Sequence, residues 1–332
     1  MGFGALDWGK YSEYLRLRTR FEGVEMKFLA PAFVAALSFG SAVEAKTYGA
    51  LVTPAELAAS IEDVQPILVD IRNDGYAEAH VDGALWAPYR MFRGPAENPG
   101  GLVDLTALEG NLEQLGLEYD LPIVIITEGK TDTDFGAAAR VYWTLKSTGF
   151  TDLSILNGGQ AAWAAAGLPI NASVESSIPS ELDLTFSHDW LAETSDVEAV
   201  TTGEAQAILV DARPEDFYMG RKGHDAADRP GTLPGAINYV YTSFFDDGAA
   251  AIRGASNVEE LKAALGVEEG KDIVSFCNTG HWAATNWFAL SELAELENVK
   301  LYAGSMVEYS NAGLPMENTP GLFRNLLNQI GF

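Results

Sequence analysis

The feature that most constrains this chain is that its sequence repeats itself. The segment ILVDIR, which contains Asp70, returns as ILVDAR, which contains Asp211, 141 positions later. Further along, the glycine turns at Gly158 and Gly304 are 146 positions apart. Because the separation changes so little along the chain, the two segments are copies of one structural unit. The 332 residues therefore predict two homologous domains rather than one large domain.

Each copy contains the same predicted elements in the same order. A short apolar strand, ILVD, is followed by a loop and a helix, then by a second apolar strand and a long helix, and finally by a third strand that enters a glycine turn. We predict the long helix at 135–147 in the first copy and at 283–296 in the second. Strands of about five apolar residues that alternate with helices are typical of a parallel sheet. We therefore predict an α/β fold in which each domain is a parallel sheet with helices on both faces. The expected divisions are a first domain at 46–170, a linker at 171–185 and a second domain at 186–332.

Residues 1–45 differ from the two copies, and we expect them to form an extension that includes a secretory signal peptide at Met26–Ala45. Lys27 precedes the apolar run Phe28–Phe39, and small residues at the end of the segment provide a cleavage site. The run is shorter than the roughly 20 residues that span a bilayer comfortably. We expect the mature chain to be exported, to a bacterial periplasm, without stable insertion in a membrane. The alternative is an N-terminal anchor helix or a buried helix.

Composition and charge restrict the partners of the chain. Hydrophobic residues make up 47% of the sequence, which is ample for two cores and argues against disorder. The net charge of −26 repels phosphate backbones, so we do not expect a nucleic-acid partner. A small anionic substrate would need a local basic pocket within that field. Since one chain already holds two homologous domains, we expect a monomer.

The most informative short segment is SFCNTGHWAATNW, which contains Cys277, the only cysteine of the chain. Cys277 follows the apolar strand DIVSF and precedes a helix that we predict to begin near Trp282. Backbone N–H groups in such a turn can bind an anion, and a helix N-terminus adds partial positive charge. Both effects stabilise a thiolate, which is the reactive form of cysteine. We expect an activated nucleophile here; the alternative is a buried, inert cysteine at a strand end.

The tandem repeat, the VDIR and VDAR strands, the LPGAIN and AGLP segments and the C-x-x-G-x-x loop resemble the rhodanese sulfurtransferases. The resemblance covers about 48–318, nearly the whole predicted mature chain. It implies two rhodanese-like domains, of which only the second carries the nucleophile, Cys277. At the equivalent position of the first domain we expect Glu128, since a carboxylate there cannot accept sulfur.

The function that this resemblance implies is the transfer of a sulfane sulfur from thiosulfate, or a similar small sulfur-containing anion, to cyanide or a thiol. The Cys277 thiolate attacks the donor and sulfite leaves. The transferred sulfur then remains on the enzyme as a persulfide until the acceptor removes it. The resemblance implies no metal and no organic cofactor.

Seven further residues are expected to bind the substrate around Cys277. Arg213 matches the family's Asp-x-Arg arginine, for which the alternative is a structural ion pair. Arg253 precedes a helix, where it could contact an anionic donor or interdomain carboxylates. The others follow the cysteine in its loop: Asn278, Thr279, Gly280, His281 and Trp282.

The identity of the donor stays open at this point. Many thiosulfate-preferring relatives have basic residues directly after the cysteine, whereas Asn278 and Thr279 are neutral. The alternatives are an enzyme that prefers 3-mercaptopyruvate and a non-catalytic module that binds sulfur species. A phosphatase of the related C-x5-R type is disfavoured because Ala283 occupies the position at which its arginine would grip phosphate.

Overall fold

The computed structural model describes residues 46–254, 257–268 and 270–321. The predicted signal segment Met26–Ala45 lies outside the described residues. Within them, no helix combines the length and the apolar character that crossing a membrane requires.

The first copy of the repeat forms a five-stranded, fully parallel sheet. Its elements are β1 Leu51–Val52, α1 Pro54–Val64, β2 Ile67–Asp70, β3 His80–Val81, β4 Leu85–Trp86, α2 Leu105–Gln114, β5 Ile123–Ile126, α3 Asp132–Ser147, β6 Leu153–Leu156, α4 Gly159–Ala165 and β7 Ile170–Asn171. The sheet order is β1-β6-β5-β2-β4, and β3 pairs separately with β7 in antiparallel fashion. The buried strands β2 and β5 therefore lie at the centre, where their carboxyl ends open on one edge.

The second copy forms a second parallel sheet with the same topology. Its elements are β8 Leu191–Ala192, α5 Thr194–Thr201, β9 Ala207–Asp211, α6 Glu215–Tyr218, β10 Ile237–Asn238, α7 Val258–Leu265, β11 Asp272–Phe276, α8 Trp282–Phe288, β12 Val299–Tyr302 and α9 Ser305–Asn311. Its order, β8-β12-β11-β9-β10, matches the first sheet strand for strand. The predicted fold class, two α/β domains built on parallel sheets, is confirmed.

Two predicted helices differ from the observed ones at their ends. Helix α3 begins at Asp132 rather than Phe135, because Thr131 and Asp134 form a capping box that closes its first turn. Helix α8 was expected to continue to Leu296. Its α-helical part ends at Phe288, and one π-helical turn, Ala289–Leu293, follows.

The two domains are joined by direct packing of α3 on α8. Phe135 and Tyr142 of α3 meet the ring of Phe288 edge-on, with ring centroids 5.3 and 5.1 Å apart. All three side chains are fully buried and belong to one apolar cluster that runs through both domains. Aromatic pairs in this geometry contribute packing energy beyond the area they bury. The contact brings a helix of the first domain beside the cysteine loop that precedes α8.

We predict that Phe288→Ala lowers the free energy of unfolding by about 3–5 kcal/mol, because it removes a fully buried ring at the domain contact. Chemical denaturation followed by circular dichroism measures the loss. The control is Val174→Ala, at a residue that is 84% exposed, where we expect a change within about 0.5 kcal/mol. If Phe288→Ala lowered the free energy of unfolding no more than Val174→Ala does, the prediction that this contact stabilises the protein would be wrong.

Candidate active site

Cys277 lies at the carboxyl end of β11, in the centre of the second sheet, and begins the loop that leads into α8. This is the edge of a parallel sheet at which ligands bind. The side chain is buried, with 1% of its surface exposed, and the thiol is free. The predicted strand DIVSF and the predicted helix start at Trp282 are both observed.

Ser305, which sequence reasoning missed, ties the loop to the turn after β12. Its Oγ accepts the backbone N–H groups of Cys277 at 3.0 Å and Gly280 at 3.2 Å, and donates to Tyr302 O at 2.7 Å. Ser305 has a φ of +53°, a conformation that costs free energy in a residue other than glycine. Its counterpart in the first domain is Gly159, with a φ of +58°. The sequence signal that could have identified Ser305 is that the second copy has a serine where the first copy has a glycine.

Several backbone amides of the cysteine loop remain free to bind an anion. Among the described residues, no hydrogen-bond acceptor meets the N–H groups of Asn278, Thr279, His281 or Trp282. Gly280 supports this open turn with a φ of +67°. Amides in such a turn can bind an anion, and that role of this loop stays a prediction.

In the equivalent loop of the first domain, a carboxylate side chain binds the backbone amides. The carboxylate of Asp134 accepts the backbone N–H of Lys130 at 2.8 Å and that of Thr131 at 2.9 Å. These are the amides that precede α3, so the side chain occupies the position that an external anion would take. The first domain therefore differs from the second in its loop amides as well as in its lack of a cysteine.

The residue that replaces the cysteine in the first domain is Thr127, and the expectation of Glu128 is wrong by one position. Asp70 pairs with Ile126 in the first sheet, and Asp211 pairs with Phe276 in the second. The residue after each partner is therefore Thr127 in one domain and the cysteine in the other. Glu128 corresponds to Asn278, and its carboxylate faces Arg72 Nη1 at 3.8 Å. Neither side chain is a thiol that could carry sulfur.

Arg213 lies beneath the loop and forms a two-point ion pair with Asp211. Its Nε donates to Oδ1 at 2.8 Å and its Nη2 to Oδ2 at 2.6 Å. Nη2 also donates to Gly231 O, and Nη1 donates to the side-chain oxygen of Asn278 at 3.2 Å. Both charged side chains are at most 2% exposed. In this arrangement Arg213 acts on the loop through Asn278, whose side chain it orients.

A chain of hydrogen bonds connects His281 to the first domain. Thr133 O accepts from His281 Nε2 at 2.8 Å, so Nδ1 is the unprotonated nitrogen and accepts the hydroxyl of Tyr89 at 3.0 Å. Arg93 Nη1 donates to that hydroxyl at 3.0 Å. Burial, with the neighbouring charge of Arg93, lowers the pKa of His281 to about 4. The ring is neutral at physiological pH, and both of its nitrogens are engaged in the domain contact.

Trp282 joins the same contact from the start of α8. Its Nε1 donates to Thr133 Oγ1 at 2.8 Å, and its ring stacks on Tyr241 with the centroids 5.2 Å apart. Arg253 lies away from this group. Its Nη2 donates to Ser243 O, and its side chain is half exposed beside Asp246. Within the described residues, no hydrogen bond connects Arg253 to the cysteine loop.

A segment of the first domain, residues 93–101, covers the loop. Arg93 Nη2 donates to Thr279 O at 2.9 Å. Gly100 is so close that a Cβ there would lie 2.6 Å from Ala303 O and 2.9 Å from the Cα of Thr279. Asn98 Nδ2 donates to Glu308 Oε2 at 2.7 Å. The segment therefore packs on the cysteine loop, and Cys277 itself is 1% exposed.

Arg140 of α3 lies under the same cover. Its Nη2 donates to Gly100 O and Gly101 O, each at 3.0 Å. Its Nη1 faces Gly280 so closely that a Cβ on that glycine would collide with it. Sequence reasoning missed both Arg93 and Arg140, because nothing in their local sequence connects them to a loop more than 130 positions away.

Comparison with protein families identifies the Rhodanese-like domain twice in this chain, at residues 53–166 and 188–312. A protein of Pseudomonas aeruginosa named thiosulfate sulfurtransferase is 31% identical over 263 residues, which cover 79% of this chain and 94% of that protein. A protein of the same name from Azotobacter vinelandii is 30% identical with the same coverage.

Solved structures show the same fold. SseA from Escherichia coli, described as a 3-mercaptopyruvate sulfotransferase, superposes with a TM-score of 0.66 at 24% identity over 78% of this chain and 99% of its own. The 3-mercaptopyruvate sulfurtransferase of Leishmania major gives a TM-score of 0.64 at 24% identity, covering 86% of this chain and 80% of that one. At this identity the likeness concerns the fold alone.

We predict that His281 makes stability depend on pH between about 6.5 and 4. In that range the unfolded chain binds a proton that the folded chain excludes, so the contribution is complete above pH 6.5 and is lost as the pH falls toward 4. The loss is on the order of 3 kcal/mol. Urea unfolding at a series of pH values measures the free energy of unfolding of the wild type and of His281→Gln. The contribution of His281 is the difference between the two pH profiles, because the effects of carboxylates are common to both and cancel.

The control is His188→Gln, at an exposed histidine, which is expected to keep the pH dependence of the wild type. Identical pH profiles for the wild type and His281→Gln would show that the His281 ring is not held neutral by the domain contact.

Proposed function

This chain belongs to the rhodanese family and is a sulfurtransferase, and on that premise we propose that it transfers sulfur through a persulfide on Cys277. The observation that carries the proposal is the position of the chain's only cysteine, at the start of a loop whose amides are free to bind an anion. The family resemblance assigns the nucleophile to the same domain. Thr127 excludes the first domain from this chemistry.

In the first step the Cys277 thiolate attacks the outer sulfur of thiosulfate. A sulfur–sulfur bond forms to the enzyme, and the bond between the outer sulfur and the sulfonate sulfur breaks. The electron pair of that bond leaves with sulfite. The enzyme then carries a persulfide anion, so atoms and charge balance without an external oxidant or reductant.

In the second step an acceptor attacks the outer sulfur of the persulfide. Cyanide leaves as thiocyanate, or a thiolate leaves as its own persulfide, and the electron pair of the enzyme's sulfur–sulfur bond returns to Cys277. Because the sequence contains one cysteine, no second thiol of the same chain competes as an acceptor. Burial of the sulfur also limits its loss to solvent.

We propose thiosulfate, a dianion, as the preferred donor. The loop itself has no basic side chain, since Asn278 and Thr279 are neutral. Two guanidinium groups of the first domain, Arg93 and Arg140, face the loop instead. The relatives from Pseudomonas aeruginosa and Azotobacter vinelandii, which are at least 30% identical to this chain, are named for thiosulfate. A donor such as 3-mercaptopyruvate brings one carboxylate charge and gains less from two cations.

We predict that incubation with thiosulfate adds the mass of one sulfur atom to the wild type, and that cyanide removes it as thiocyanate. Intact-mass spectrometry and a thiocyanate assay measure the two steps. Cys277→Ser is expected to show neither, because a hydroxyl does not form the persulfide. The matched control is Thr127→Val, at the equivalent position of the first domain, which is expected to retain both steps.

The absence of a persulfide from every sulfane donor would refute the proposed mechanism, as would sulfur transfer by Cys277→Ser. Comparison of kcat/KM for thiosulfate and 3-mercaptopyruvate tests the donor separately. A higher value for 3-mercaptopyruvate would reject thiosulfate as the preferred donor while leaving the persulfide mechanism in place.

A further inference from the structure

Arg140 is a buried cation with unused hydrogen-bonding capacity. Its side chain is 1% exposed, although it belongs to the domain without a nucleophile. Nη2 donates to the carbonyl oxygens of Gly100 and Gly101. Within the described part of the chain, Nε and Nη1 have no hydrogen-bond partner. Buried guanidinium groups are normally fully bonded, so this one requires an explanation.

The charge of Arg140 is also unbalanced. Among the described residues, no carboxylate forms an ion pair with its guanidinium, whose neighbours are two neutral carbonyl groups and the ring of Trp143, 4.9 Å from the ring centroid. The positive charge of Arg93 lies nearby, which adds repulsion. An unpaired buried charge is costly for a protein. Burial and Arg93 lower the pKa of Arg140 to about 9, which leaves it protonated at physiological pH.

The unused donors face the cysteine loop. Nη1 meets the loop at Gly280, where any side chain would collide with it. Gly280 belongs to the same loop as Cys277 and follows it by three residues, so the guanidinium lies against the turn that carries the thiol. No hydrogen bond joins Arg140 to the sulfur, so the interaction acts over a longer distance.

We propose that Arg140 supplies the positive charge for the anionic sulfur on Cys277 and for the anionic group of the donor. The first domain, which lacks the nucleophile, thereby completes the active site of the second. This inference rests on the proposed function, because the role given to the charge is to serve the persulfide chemistry. The positive charge itself can be tested without any sulfur donor.

A purely structural role for Arg140 makes a different prediction. By bonding the carbonyl groups of Gly100 and Gly101, the side chain could simply hold the segment 93–101 over the thiol. Its loss would then expose Cys277 and raise its reactivity toward all reagents alike. Loss of a positive charge would instead reduce reactivity toward anionic reagents relative to neutral ones.

The test compares two alkylating reagents of similar size on Cys277 in the full chain. Iodoacetate is an anion and iodoacetamide is neutral, and both form a carbon–sulfur bond with loss of iodide. We expect Arg140→Met to lower the ratio of the iodoacetate rate to the iodoacetamide rate by roughly tenfold, the lower end of what a charged cleft does to local anion concentration. Arg140→Lys, which keeps the charge, is expected to restore most of the ratio.

The matched control is Arg90→Met, which removes the same charge from the same domain. Arg90 is exposed, and its guanidinium lies over Trp86, 5.2 Å from the ring centroid. We expect this variant to keep the wild-type ratio. A ratio in Arg140→Met equal to that in Arg90→Met would overturn the proposal, even if both absolute rates rise.

The wild type provides a second measurement in case Arg140→Met does not fold. The net charge of −26 repels anions from the protein as a whole, so the ratio exceeds that of a free thiol such as N-acetylcysteine only if a local group attracts the anion, as the Arg140 guanidinium would. We expect an excess over the free thiol that declines as salt is added. A wild-type ratio at or below that of the free thiol would also overturn the proposal. A lack of persulfide with a normal ratio would refute the proposed function alone.

Discussion

The packing of α3 on α8 is the contact on which the site depends. The aromatic side chains of Phe135 and Tyr142 on α3 pack against Phe288 on α8 and hold the two helices together. Helix α8 begins directly after the cysteine loop, so the same contact sets the position of that loop relative to the first domain. Because a helix is rigid, fixing α3 at this contact also fixes the positions of its other side chains relative to the loop. Thr133 at one end and Arg140 in the middle of α3 consequently both meet the loop.

The two domains have the same fold and different loops after the central strand. Each has the buried Asp-x-Arg pair under its loop, with nearly the same geometry: Arg72 bonds Asp70 as Arg213 bonds Asp211. The pair thus belongs to the fold rather than to catalysis alone. The loops above it differ: Asp134 binds two amides in the first domain, whereas in the second the amides of Cys277 and Gly280 bond Ser305 and the other loop amides have no acceptor among the described residues.

The protein carries a net charge of −26, yet the guanidinium groups of Arg93 and Arg140 face the cysteine loop. Surface carboxylates are screened by solvent and salt, whereas a buried guanidinium acts at short range through a medium of low dielectric constant. Residues 93–101 pack on this region through the hydrogen bond from Arg93 to the carbonyl group of Thr279, and Cys277 is 1% exposed.

The sequence by itself determined the α/β class, the two homologous domains, the strand that ends at Cys277 and the turn that follows it. These are local or periodic properties of the sequence, and an apolar segment followed by a glycine turn can adopt few other local structures. It did not determine that Thr127 rather than Glu128 replaces the cysteine, which required strand register. Only the tertiary structure decided that Arg93 and Arg140 face the loop and that His281 is neutral, because these effects arise between residues distant in sequence.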